Sequence, residues 1–133
     1  MLFWIYTFFV FAHGVAHMVY TSLALGWIPA GPGQPNTAAS WLLTGPLGAQ
    51  GTQNLGAVAF TMLTVAFAIT AAGIGLRQPW ALSWLVGSAI ASSLVILVFW
   101  DGSLANATSK GGLGLLINLG LLAALYFFRY PAL

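Results

Sequence analysis

The sequence predicts an all-α membrane protein. The expected form is an antiparallel bundle of four transmembrane helices with a Gly/Pro-rich outer loop that carries a short interfacial helix. Three observations carry this expectation. First, 60% of the 133 residues are hydrophobic and 3% are charged, against about 25% charged in an ordinary soluble domain. Second, a water-soluble domain of this size leaves about a third of its unfolded surface exposed. Arg77, Asp101, Lys110 and Arg129 are too few charges to clothe that surface. Third, four apolar stretches approach the ~20 residues that a helix needs to cross the hydrocarbon core. Disorder is excluded as well, because it requires low hydrophobicity and high charge.

The spans are expected at about 2–27, 54–76, 80–100 and 113–128, and residues 1–133 read as one domain. The first stretch lacks a basic leading segment, and its apolar run is too long for a secretory signal, so it reads as a retained membrane helix. Between the first two spans, Pro29, Pro32, Pro35 and Pro46 act as helix breakers. Inside that loop Asn36 and Thr37 are candidate caps for a short helix running through Leu43. Trp41, Leu42 and Leu43 would lay it in the headgroup layer as a lid. Arg77-Gln78-Pro79 is the hairpin between the second and third spans. Residues 101–112 are polar and contain Gly, and read as a loop; Asn106-Ala107-Thr108 within it matches the glycosylation sequon.

With four crossings, the termini share a side with Arg77 and Arg129, and Lys110 lies opposite. The positive-inside bias then sets both termini in the cytoplasm, and the general style is that of a bacterial inner membrane protein. Trp4, Tyr6, Trp80, Trp84, Phe128 and Tyr130 mark one interface, and Trp27, Phe99 and Trp100 the other. Lipid supplies no hydrophobic drive between helices, so small residues must allow close contact. The second span offers Ala57, Thr61, Thr64, Ala68, Ala71, Ala72 and Gly75. The third offers Gly87, Ser88, Ala91 and Ser92, and the fourth Gly114 and Gly120.

Composition also excludes functions. Three scattered cations form no basic patch, so nucleic acid is not an expected partner. The absence of cysteine excludes disulfides, thiolate catalysis and iron–sulfur clusters.

The chemistry-bearing segment runs from His13 through Gly14 and His17 to Tyr20. At about 100° per residue these side chains share one helix face, and Tyr6 falls in the same stripe. An unpartnered polar group in hydrocarbon costs several kcal/mol, so this face must look into the bundle or a cavity. By topology, Asp101 and Asn118 approach the outer half of the first helix, with His17 closer to them than His13. Lys110, Gln50, Gln53 and Asn54 lie near the same end.

Four readings of this column stay open. The histidines glue the bundle through hydrogen bonds; they anchor a ligand; they hold a metal; or they line a proton or ion path. A metal site would use His13, His17 and Asp101 and would lack a full ligand set. The HExxH protease pattern is absent, because Gly14 stands where the Glu would be. A bis-histidine haem needs ligands on opposing faces. A transporter needs repeats or broken helices. A mostly apolar pocket with a few polar anchors suits the inventory better. A quinone or lipid would then bind at His13, His17, Tyr20, Trp100, Asp101 and Asn118, with Trp27 and Met18 as further walls.

The His13-Gly14-x-x-His17 pattern, Trp100-Asp101 at the end of the third span and Asn118 in the last helix resemble an uncharacterised bacterial family of small four-helix membrane proteins. Size and layout are more distantly similar to DoxX-type proteins. The resemblance implies the same five positions as the site and implies no particular activity.

The expected function is therefore a small membrane-embedded binding or accessory protein that holds an apolar ligand in the bundle. Its expected partners are the lipid bilayer and further membrane subunits or a second copy. The alternatives are a metal- or acid–base-dependent membrane enzyme using His17 and Asp101, and a purely structural assembly subunit.

Overall fold

The computed structural model describes residues 1–105 and 107–131, without the side chain of Ser109. The sequon residue Asn106 lies outside the described residues. The described chain is all-helical: α1 (Leu2–Ala16), α2 (Met18–Ala24), α3 (Thr44–Gly75), α4 (Trp80–Val98) and α5 (Leu113–Phe128), with a π-type turn at Thr108–Gly112 before α5. Four helices are long and apolar enough to cross a membrane: Leu2–Ala24, Thr44–Gly75, Trp80–Val98 and Lys110–Phe128. Their outer faces carry large apolar side chains, with Phe8 69%, Leu94 58%, Leu116 64% and Phe127 83% exposed. Apolar surface of this kind on several helices is suited to lipid rather than water.

α3 packs against α1, α2 and α4, and α5 packs against α4. Along the first contact the numbering runs in opposite senses. Gly75 lies by Thr7, Phe67 by Gly14, Thr61 by Thr21 and Gln53 by Ala24. Gly14 is what lets the helices come so close, since a methyl group there would collide with Cβ of Phe67. The Thr64 hydroxyl then reaches the Gly14 carbonyl at 3.0 Å. The small-residue expectation fails at Gly87 and Gly120, where a side chain would meet open space.

Two apolar layers divide the interior. One contains Val10, Phe67, Ile74, Leu85 and Leu121. The other contains Phe60, Leu63 and Ile96, with Tyr20 and Phe99 packed on it. Phe99, expected in an interfacial belt, instead packs inward, against Gly56 and Phe60.

The second helix begins ten residues before the expected start, at Thr44 rather than residue 54. Pro46 falls in its first turn, where the backbone N–H would lack a helical partner anyway. Gly48, at φ 68°, kinks the helix just beyond. The expected short helix from Asn36 through Leu43 does not form. Asn36 caps only a turn, accepting from the Ala38 N–H at 3.1 Å. Ser40 organises the turn just ahead of α3: its hydroxyl accepts the N–H groups of Leu42 and Leu43 at 3.2 and 3.0 Å.

The same segment closes the far end of α4, whose last carbonyls need partners. Ser40 donates its hydroxyl to Val98 O, Trp41 its indole N–H to Leu97 O at 2.7 Å, and Trp41 its backbone N–H to Trp100 O at 2.8 Å. The Gly/Pro-rich loop is thereby pinned across the bundle end. At the opposite end α3 stops in a Schellman arrangement: Gln78 N–H to Gly73 O and Arg77 N–H to Ile74 O, both 2.8 Å, with Arg77 left-handed at φ 54°. The Arg77 guanidinium sits over the Phe3 ring at 4.9 Å.

Candidate functional site

Between the two apolar layers lies one polar layer. His13 and His17 come from the first span, Ser92 and Ser93 from α4, and Asn118 from α5. His13 Nε2 meets Asn118 Oδ1 at 2.8 Å. Asn118 Nδ2 donates to Ser92 Oγ at 2.9 Å and to Ser93 Oγ at 3.1 Å. Ser92 Oγ meets His17 Nε2 at 3.0 Å. All but Ser93 are buried; Asn118 and Ser92 have no exposed surface. A buried polar network in an apolar setting is strong when every member is satisfied.

The backbone bends to the same purpose. The first span is interrupted at His17, whose N–H bonds Gly14 O at 3.1 Å, while Tyr20 N–H bonds His17 O at 3.1 Å. These are three-residue steps, so the helix tightens locally at the second histidine. Phe67 packs beneath both imidazoles, with ring centroids 4.9 Å from His13 and 5.7 Å from His17. The two imidazole centroids are 5.1 Å apart.

A cleft of about 340 Å³ opens beside this layer. His13, His17 and Tyr20 line one wall, Gly114 and Ile117 of α5 the other, and Gln34 and Pro35 of the loop lie at its rim. Gly111, at φ 108°, lets the turn before α5 close against Ile96 and the Tyr20 hydroxyl. A second, smaller chamber of about 20 Å³, room for about one water, lies beneath the loop between Tyr20, Thr37, Phe99, Asp101 and Lys110.

Of the six expected ligand-binding residues, the structure brings His13, His17 and Asn118 together, and places Tyr20 on the adjoining wall with its ring stacked on Phe60 at 4.5 Å. Asp101 does not join them. Its carboxylate pairs with Lys110 at 2.6 Å and accepts the Ser103 N–H at 2.9 Å. The Lys110 hydrogen bond is the main reason its carboxyl lies below the usual range; partial burial opposes this, and the Ser103 N–H assists. Trp100 is also elsewhere, donating its indole N–H to Ser103 O at 2.9 Å and holding the turn.

The metal set His13, His17 and Asp101 is therefore not assembled, and no three or more His, Cys, Asp or Glu side chains lie close enough for a metal among the described residues. A metal centre built from these residues is corrected by that geometry: the one acidic side chain is held by its own loop. Tyr6 also faces inward, packed on the core layer of Val10 and Phe67. It lies at the opposite end, edge-on to Tyr130 with centroids 5.1 Å apart.

Ser92 and Ser93 are the residues that sequence reasoning missed as site members. Ser92 enters the sequence pattern only as a packing residue, because a membrane-helix serine ordinarily bonds its own helix. The available signal was the adjacent pair of serines in an otherwise apolar stretch, opposite the single asparagine of the last helix. No family model, curated protein or solved structure matches this chain.

Proposed function

We propose that this chain is a small integral membrane protein that binds an apolar ligand, a quinone or a lipid, in the cleft beside His13 and His17. The observation that carries the reading is that the cleft of about 340 Å³ touches both histidines. Its volume is of the size that small-molecule sites occupy, and its make-up is theirs too: apolar walls with a few fixed polar groups. A purely structural role for the histidines would need no cavity against them. The enzymatic alternative drew on Asp101 beside His17, and Asp101 is committed to Lys110.

In this reading the four helices form an antiparallel transmembrane bundle, with the loop at 28–43 on the outer side and both termini cytoplasmic. Arg77 and Arg129 then mark the cytoplasmic end, supported by the approach of Arg77 to Phe3 and of Tyr6 to Tyr130. The ligand enters from the lipid, between the first span and α5, under the rim at Gln34 and Pro35. The bilayer is the partner throughout, and the exposed apolar faces leave room for a second copy or a further membrane subunit.

Native mass spectrometry of the gently purified protein tests the proposal. The wild type is expected to carry a small apolar molecule, and the His13→Ala/His17→Ala variant to lose it. A bare wild-type chain, or equal retention by both proteins, overturns the reading.

A further inference from the structure

Counting donors along the polar layer fixes where its protons lie. Ser93 has one hydroxyl proton and gives it to the Ala89 carbonyl at 2.8 Å. Its oxygen can then only accept, so the Asn118 atom 3.1 Å away must be the amide nitrogen. The opposite amide orientation would set two oxygen lone pairs against each other. Asn118 Oδ1 therefore faces His13, and an amide oxygen only accepts, so His13 Nε2 carries a proton. Ser92 accepts from Asn118, and among the described residues His17 Nε2 is the one acceptor its own proton can reach. The single acidic residue of the chain is paired with Lys110, so no carboxylate favours an imidazolium here. Two neutral rings then hold opposite tautomers. His13 has a lone pair at Nδ1, and His17 an N–H at Nδ1.

Among the described residues, neither Nδ1 has a hydrogen-bond partner. Nor is either sealed in the interior: the buried, unpartnered side-chain polar atoms among the described residues are the hydroxyls of Tyr6 and Tyr130. Both histidines line the cleft.

We infer that the cleft takes a neutral hydroxyl group on an apolar body, in preference to the carbonyl form of the same molecule. This rests on the reading of the cleft as an apolar-ligand site. One hydroxyl oxygen donates to His13 Nδ1 and accepts from His17 Nδ1–H. A carbonyl satisfies His17 alone and turns its lone pairs on that of His13. Sites built to bond a hydroxyl reject analogues without one far more strongly than apolar contacts discriminate by size. A carboxylate fails in the same way and also brings a charge into an apolar slot. The hydroxyl belongs either to an aromatic hydroquinone or to an aliphatic, lipid-derived alcohol.

The test uses the full chain in lipid nanodiscs with ¹⁵N-labelled histidine. Without added ligand, the imidazole nitrogen shifts are expected to report Nε2–H for His13 and Nδ1–H for His17. The same tautomer on both rings overturns the donor count. In Ser93→Ala the amide is free to turn, and both tautomers are expected at both rings; an unchanged spectrum overturns the role given to Ser93. Binding is then compared for a decyl hydroquinone with its quinone, and for dodecanol with dodecanal. At least tenfold tighter binding of a hydroxyl probe than of its carbonyl partner supports the inference, and the pair that shows it identifies the source. Equal or tighter carbonyl binding overturns it. If no probe binds while the tautomers are as expected, the ligand-site reading fails and the proton pattern stands.

Discussion

His13 and Asn118 are 105 positions apart in the chain and meet at 2.8 Å in the middle of the bundle. That bond, with the two that Asn118 gives to Ser92 and Ser93, joins the first span to α4 and α5. Replacing Asn118 by Leu keeps the branched side-chain shape, adds some bulk, and removes three hydrogen bonds at once. The His13 N–H is then left without a partner, at a cost of about 1–3 kcal/mol. Asn118→Leu is expected to lower the thermal midpoint in detergent clearly, and Asn118→Gln to do so through misfit. A midpoint unchanged in the Leu variant would show that the network carries no stability.

The glycines offer a paired test. Gly14→Ala drives a methyl into Phe67, and relief requires α1 to move from α3. Overpacking of this kind costs about 1–3 kcal/mol. Gly120→Ala faces open space, and alanine is the better helix former by about 1 kcal/mol. Unfolding in detergent should therefore rank Gly14→Ala below wild type and Gly120→Ala at or above it. The reverse order would place the close contact on α5 instead of α1.

Much of this was legible in the sequence, for physical reasons that differ by residue. His13, His17 and Asn118 stand out because hydrocarbon tolerates such groups only when they face each other or a cavity. The four spans are legible because nothing else in 133 residues could cover that much apolar surface. The start of α3 was not legible, because Pro46 reads as a breaker unless one knows it falls in the first turn. Asp101 was misread for a related reason. A lone carboxylate at a helix end looks available to any nearby histidine, and only the folded turn reveals that Lys110 reaches it first. Ser92 was hidden by its chemistry, since the same hydroxyl that serves the site could equally bond its own helix.

The Asp101–Lys110 pair predicts a pH dependence with a definite sign. The Asp101 carboxyl is held below its usual range by the Lys110 hydrogen bond above all. A group with a lowered folded pKa adds stability that is present above its unfolded pKa, about 3.9, and lost as the pH falls through the folded value. The thermal midpoints of wild type and Asp101→Asn should therefore differ by a constant amount from neutral pH down to mild acid, and converge in strong acid. A gap that widens toward acid contradicts the pairing.

Ser40 controls the loop over the bundle end. Its hydroxyl accepts two N–H groups at the start of the Leu43 turn and donates to Val98 O, one of the last carbonyls of α4. Ser40→Ala removes the acceptor of two turn N–H groups, for about 1 kcal/mol, and frees a carbonyl of α4 at the same stroke. The loop that carries Gln34 and Pro35 at the rim of the cleft is then held mainly by Trp41, through its bonds to Leu97 O and Trp100 O. Amide exchange at Leu42 and Leu43 is expected to rise about fivefold, the factor that 1 kcal/mol represents. Exchange at His17 and Asn118, in the polar layer, should hold steady. If those two positions loosen as much as the loop, the lid and the site are one cooperative unit and the loop does not open separately.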